Sequence, residues 1–401
     1  MKILFLHRNY PGQFRYLAPL LAQDPNNEVV FISNEPKGQI PGIKKYVYKL
    51  KRQVPDNCHR YLRYLEECII HGQSAAELAL RLKQEGFYPD VIYGHTWGQT
   101  LFMKDVFPES KLLCYFEWFF HSQDSYCDFA GNEVPIDEHA KFRVDNAQLF
   151  VDLYSCDKGL CPTNYQMKQF PEEFKHKIKV LHDGIDTDFC RRKDDAVLEI
   201  PEKGLKLTKN DEVVTYGTRG MDPYRGFPEF MKAVEKLQKK RPNMHVVISG
   251  KDRVCYGPPL PNGKTYKQLM LETLDLDLNR IHFTDLLPFD KYIDMLNITS
   301  AHVYLTYPFV CSWSLLNAMA CETPIIASNT EPVLEFLEDK KNALLFDFFN
   351  IDEQVEKIEY ALDNRNKMEP LRKAARKLIV KKYAQKDLLP KHIAYIKSLI
   401  K

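Results

Sequence analysis

Residues 308–324 read PFVCSWSLLNAMACETP. The apolar run HVYLTY (302–307) leads into this stretch, Ser-Trp-Ser (312–314) interrupts it, and helix-forming Leu, Ala and Met residues follow. Pro324 then marks the restart of a strand, PIIAS (324–328). Strand, helix and strand at such short spacing predict a parallel sheet with helices on its faces.

The alternation extends both ways. Upstream, the strands are ILFLH (3–7), EVVFIS (28–33), DVIYGH (90–95), KLLCYF (111–116), GLCP (159–162) and KIKVLHDG (177–184). Helical spacing runs through 14–23, 59–86 and 142–157. A polar stretch, 191–211, separates this half from a second set: VVTYGT (213–218), MHVVISG (244–250), IHFTD (281–285), HVYLTY, PIIAS and ALLFD (343–347). The fold class expected is α/β, with two doubly wound units over 1–190 and 191–380. A last helix, 381–401, is expected to pack back on the first. In such a pair the ligand is expected between the units, at the carboxyl ends of the strands.

Composition narrows the function. With 401 residues, 44% apolar and 12% aromatic, the chain can fill two cores. A formal charge of +2 argues against a dedicated nucleic-acid binder. Ten cysteines form no CxxC pair, which removes zinc ribbons and thioredoxin chemistry and favours a reducing compartment. KILFLHR at the start reads as a strand rather than a secretory leader, and no run reaches the ~18 apolar residues of a spanning helix. The expected location is cytoplasmic. One stretch, Lys37 to Arg63, holds eight Lys and Arg residues against a single acid, Asp56. It is a candidate contact with the inner face of a membrane, or simply a solvated surface.

Four places carry candidate chemistry. In HRNYPGQFRYLAPLLA (7–22), Gly12 lets the backbone approach a ligand, and a helix starting near Gln13 would turn unpaired N–H groups toward an anion. It is neither GxGxxG nor a Walker sequence, and an ordinary turn glycine explains it equally well. In YGTRGMDPYRGFPEF (216–230), Arg219 and Arg225 lie at a strand's carboxyl end, where two guanidinium forks suit a diphosphate. The bland alternative is a pair of surface ion pairs. At the opening corner, the N–H groups of Ser312, Trp313 and Ser314 are expected to be unpaired and open to phosphate. Asn317, one turn in, either holds a ribose hydroxyl pair or satisfies a neighbouring carbonyl. Lastly, His95, Glu117 and His121 sit among aromatics in YGHTWGQ (93–99) and YFEWFFHSQDSYCDF (115–129), a wall suited to a carbohydrate or lipid-linked acceptor.

Taken together, HRNYPGQFRYLAPLLA, DVIYGHTWGQTLF, YFEWFF, KVLHDGIDTDF, YGTRGMDPYRGFPEFM, SGKDRVCYG, HVYLTYPFVCSWSLLNAMAC and SNTEPVLEF resemble, in order, a family 4 glycosyltransferase of the GT-B fold, near its bacterial surface-polysaccharide branch. The resemblance implies transfer of a sugar from a nucleotide diphosphate donor, UDP by default, with retention and without a metal or other cofactor. It implies a saccharide or lipid-linked saccharide as acceptor. It assigns Gly12, Gln13, Arg219, Arg225, Ser312, Trp313, Ser314 and Asn317 to the donor, with Arg219, Arg225 and Glu117 catalytic and His95, Glu117 and His121 on the acceptor side. Two departures stand out. Both acids of the family's paired-glutamate motif are absent, replaced by Phe309 and Asn317, and Glu117 takes the place of its acceptor-side histidine. The alternative they raise is a nucleotide-sugar-binding relative that has lost catalysis and acts as a partner or regulator.

Overall fold

The computed structural model describes residues 1–131 and 133–400. The chain divides into two compact units, 1–184 with 385–401, and 185–384. The C-terminal helix Gln385–Leu399 therefore belongs to the first unit.

The first unit holds one parallel sheet. Its strands are β1 (Lys2–His7), β2 (Glu28–Ser33), β3 (Ile43–Val47), β4 (Val91–His95), β5 (Lys111–Tyr115), β6 (Lys158–Cys161) and β7 (Ile178–Val180), in the order β3-β2-β1-β4-β5-β6-β7. Leu4 pairs with Val30 on one side and with Ile92 on the other. These strands read as continuous apolar runs because both faces are covered. Leu4, Leu6, Val30 and Ile32 pack with Ala75, Leu78 and Leu82 of the helix Arg63–Gln84. The alternate residues Ile3, Phe5, Val29 and Phe31 pack with Leu17, Leu21, Leu388 and Ile396. Each such side chain contributes about 1.5–3 kcal/mol on burial.

The second unit opens with an antiparallel hairpin, β8 (Val197–Ile200) and β9 (Leu205–Thr208). A six-stranded parallel sheet follows: β10 (Val213–Gly220), β11 (His245–Lys251), β12 (Ile281–Phe283), β13 (Ala301–Tyr304), β14 (Ile325–Ser328) and β15 (Leu344–Phe346), in the order β12-β11-β10-β13-β14-β15. One core joins Val213, Val247 and Ile325 of the sheet to Leu296, Leu315 and Met319 of its helices.

Three expectations change. The polar stretch 191–211 contains the β8–β9 hairpin, whose alternating residues Leu198, Ile200 and Leu207 are buried. Gln13 does not begin an α-helix. Gly12–Phe14 is a 3-10 turn, and the α-helix starts at Leu17. The Lys37–Arg63 stretch is not opposed by a single acid: Lys44, Lys51 and Arg52 pair with Glu28, Glu77 and Glu66, and Arg60 pairs with Asp137 and Glu138, all from outside the stretch. Lys45 is held by the carbonyls of Lys37 and Gly38, and Arg63 by those of Pro55 and Asp56. No helix among the described residues is long and apolar enough to cross a membrane.

One core residue makes stability depend on pH. Asp152, on the helix Ala147–Ser155, is fully buried, and neither carboxyl oxygen has a hydrogen-bond partner among the described residues. Burial pushes its carboxyl up to about 7 from 3.8. The folded chain thus keeps a proton that the unfolded chain releases, so this group lowers stability as pH rises from about 4 to about 7. Asp152→Asn is expected to raise the thermal midpoint more at pH 8 than at pH 4.5. Equal shifts at both pH values in calorimetry would show an ordinary carboxyl.

Candidate functional site

Strand order reverses between β1 and β4 in the first unit, and between β10 and β13 in the second. At such a point the neighbouring crossovers leave to opposite faces, opening a crevice at the strands' carboxyl ends. In the second unit that crevice is a cavity of about 320 Å³. It brings together Arg219, Arg225, Ser312, Trp313 and Ser314, which are up to 95 positions apart in sequence. Its floor is Tyr216 and Gly217 of β10 with Val303 and Tyr304 of β13.

Arg225 is fixed by the turn that carries it. Asp222 accepts the N–H of Tyr224 at 3.1 Å, and its other oxygen accepts those of Cys255 at 2.9 Å and Tyr256 at 3.3 Å. Pro223 starts the 3-10 turn Pro223–Arg225, where its missing N–H is harmless. Gly226 ends it at φ +66°, and a Cβ there would lie 2.5 Å from that of Leu305, so only glycine fits. The Arg225 side chain is buried. Its Nη1 donates to Thr306 Oγ1 at 2.6 Å, and its guanidinium lies 4.8 Å from the Tyr256 ring centre and 5.9 Å from that of Phe309. No carboxylate forms an ion pair with it among the described residues. Arg219 differs. It is exposed at the end of β10, beyond an irregularity between Gly217 and Gly220, and no hydrogen bond or ion pair holds its side chain among the described residues. One guanidinium is preset and the other can swing.

The Ser-Trp-Ser corner is less open than the sequence suggests. The helix is Trp313–Ala320, and Ser312 precedes it without a side-chain capping bond, while the Ser312 N–H already donates to the Tyr304 hydroxyl at 2.9 Å. The hydroxyls of Ser312 and Ser314 hydrogen-bond to each other. Asn317 is not among the residues lining the cavity. It is buried, and its Oδ1 accepts from the Cys190 thiol at 3.7 Å, a sulfur contact inside the core. The contact observed is with a thiol, not with the neighbouring carbonyl that the sequence suggested.

The first unit gathers its own polar group at the β1/β4 reversal. His7 ends β1 and His95 ends β4, with ring centres 4.9 Å apart and Trp97 4.1 Å from His95. Both histidines are buried, and neither His95 ring nitrogen has a hydrogen-bond partner among the described residues. The Glu117 carboxylate stands 3.5 Å from His95 Nε2, longer than a good hydrogen bond. Gln13 reaches His7, Oε1 to Nε2, at 2.5 Å, and a Cβ on Gly12 would lie 2.6 Å from the same ring. Burial, with His95 adding to it, lowers His7 to about 3. Next to Glu117, Asp183 accepts from the Tyr115 hydroxyl at 2.8 Å, and burial lifts its carboxyl to about 7. His121 does not join this group. Its Nε2 bonds the Gln169 carbonyl at 2.6 Å, tilted against Phe119. Sequence reading omitted His7, Trp97, Asp183 and the Arg225 cage. The Asp-Pro pair at 222–223 was a readable cap signal.

The chain matches two family models in succession, that of the glycosyl transferase family 4 group over residues 25–190 and that of glycosyl transferases group 1 over residues 199–378. The chain belongs to family 4 of the glycosyltransferases. Its two Rossmann-like α/β units are those of the GT-B fold. No curated protein sequence matches it. Among solved structures, this glycosyltransferase is similar to Anabaena HepE in complex with UDP-glucose, with 13% identity, TM-score 0.70 and coverage of 99% of this chain and 100% of the other. Sucrose-phosphate synthase from Thermosynechococcus elongatus gives 13% identity, TM-score 0.70 and coverage of 100% and 99%. A mutant of S. aureus TarM in complex with Fondaparinux, alpha-GlcNAc-glycerol and UDP gives 16%, 0.55, and coverage of 80% and 58%.

The Asp222 cap tests how this glycosyltransferase presets its buried arginine. Asp222→Ala leaves three backbone donors without their acceptor. The expected loss is about 2–4 kcal/mol of stability in the second unit, at roughly 1 kcal/mol or more per orphaned donor. Asp222→Asn, which keeps acceptor oxygen, is expected to lose less. Denaturant melts of the three proteins decide it, and equal stability of wild type and Asp222→Ala would refute the role.

Proposed function

We propose that this glycosyltransferase moves a sugar from a nucleotide diphosphate sugar, UDP-linked, to a saccharide or lipid-linked saccharide acceptor, with retention at the anomeric carbon. The observation that carries the reading is the convergence of Arg219 and Arg225 on one cavity at the sheet's reversal, with no acid lining it. A diphosphate brings the negative charge that such a cavity lacks. The UDP and UDP-glucose bound to structural relatives support the choice of nucleotide, and retention rests on the family resemblance.

As the sugar–phosphate bond lengthens, negative charge builds on the departing diphosphate. Arg225, already desolvated and oriented, stabilises that charge without reorganising. Arg219 swings in to complete the clamp, and the start of the helix Trp313–Ala320 adds the positive end of its dipole. The acceptor hydroxyl attacks from the face the leaving group vacates and gives its proton to a departing phosphate oxygen. Glu117 and His95 are the first unit's contribution to acceptor binding. Positive charge in this scheme comes from guanidinium groups, and no metal is called on.

Arg225→Ala is expected to cut turnover at saturating donor by about a hundredfold or more, the scale on which preset donors to developing charge act. Arg225→Lys should recover little, because an ammonium cannot span Thr306 and both rings. Arg219→Lys should recover more. A thermal-shift screen with UDP, GDP, ADP, dTDP and CMP and their sugars finds the donor, since a ligand at a hundred times its Kd adds about 2.7 kcal/mol. Radiolabelled transfer then measures turnover. Near-normal turnover of Arg225→Ala refutes the assignment, and donor binding without transfer or hydrolysis would instead show a binding protein that has lost catalysis.

A further inference from the structure

The structure assigns His7 to setting the orientation of Gln13: we propose that a fixed imidazole tautomer turns the Gln13 amide so that its NH2 group, not its oxygen, faces the ligand. The backbone N–H of Asn9 donates to His7 Nδ1 at 2.9 Å. A ring nitrogen that accepts carries no proton, so His7 is neutral and its proton is on Nε2. That Nε2–H faces the Gln13 side chain at 2.5 Å and can only donate, so the Gln13 atom it meets must be the oxygen. The carboxamide nitrogen then points the other way with two N–H donors, and no protein atom takes them among the described residues.

The ring cannot escape this role by turning over. It is 1% exposed and wedged edge-on between Phe14, His95 and Trp97, at ring distances of 6.0, 4.9 and 5.4 Å. Gly12 closes the remaining side, where any Cβ would overlap the ring. Beside it, His95 is wholly buried, neither ring nitrogen makes a hydrogen bond among the described residues, and its Nε2 stands 3.5 Å from the Glu117 carboxylate. Gln13 thus selects an acceptor oxygen, and His7 is a positioning residue rather than a catalytic one. The inference deepens the nucleotide-sugar reading and rests on it for the ligand.

Selective ¹⁵N labelling of histidine in the full chain tests the relay without any ligand. The Nε2–H tautomer of His7, with Nδ1 unprotonated from pH 5 to 8, is the expected result. An Nδ1–H tautomer or an imidazolium in that range overturns the proposal. Calorimetry with UDP-glucose and with UDP then tests the donors. Gln13→Glu keeps an oxygen for His7 but offers no N–H, and is expected to weaken binding about tenfold, as loss of charge-assisted hydrogen bonds does. His7→Phe is expected to weaken it several-fold, and His7→Gln, which restores a donor toward Gln13, to recover most of that. If His7→Phe does not fold, Gln13→Met at the half-buried position replaces it. Weakened UDP-glucose with unchanged UDP places the oxygen on the sugar, and weakening of both places it on the diphosphate. Unchanged affinity in Gln13→Glu overturns the proposal. Wild-type protein that binds neither compound refutes the donor reading instead, while the tautomer still decides the relay.

Discussion

A buried cation that forms no ion pair among the described residues sets the terms for the second unit. Taking a guanidinium out of water costs several kcal/mol unless something answers its charge. Around Arg225 the answer within the protein is partial: one hydroxyl from Thr306 and the faces of Tyr256 and Phe309. Each aromatic face returns about 1 kcal/mol. The remainder is a standing preference for an anion, and the cavity beside it is where one can enter. Much of the local architecture serves this arrangement. Asp222 ties the turn 222–226 to the loop at 255–256, so the arginine and the ring it stacks on are fixed by the same carboxylate. Gly226 then lets that turn lie against Leu305 at the end of the central strand.

The two units use one topological device for different chemistry. In each, strand order reverses beside the first strand of the sheet, and the polar side chains collect where it does. The second unit fills its reversal with cations and helix N–H groups, which suits a charged leaving group. The first fills it with buried imidazoles, amides and a carboxylate, which suits hydroxyl-bearing ligands. Burial enforces that difference: it holds His7 neutral and Asp183 protonated up to about neutral pH.

The alternation of strands and helices was legible because both sheets are parallel and doubly covered, which makes each strand an uninterrupted apolar run. What escaped was pattern diluted by charge. β3 reads IKKYV, an edge strand with one face in water, and β8 reads VLEI, where only alternate residues are buried. Arg219, Arg225 and the Ser-Trp-Ser corner were legible from their place after strands. The partners that decide their behaviour were not. Nothing in sequence spacing shows that Gln169 occupies His121, that Tyr304 takes the Ser312 N–H, or that Cys190 lies against Asn317 across 127 positions.

Asn317 and Phe309 are better understood together than as two separate losses. A carboxylate in place of Phe309, whose ring centre lies 5.9 Å from the buried Arg225 guanidinium, would stand close enough to offset its charge. Replacing one by an aromatic ring leaves Arg225 desolvated yet unneutralised, which strengthens its field in a low-dielectric pocket. Replacing the other by an amide that turns to Cys190 removes a negative charge from the helix behind the Ser-Trp-Ser corner. Under the proposed reading, neither departure takes a cation out of the cavity, which keeps both Arg219 and Arg225 in its lining.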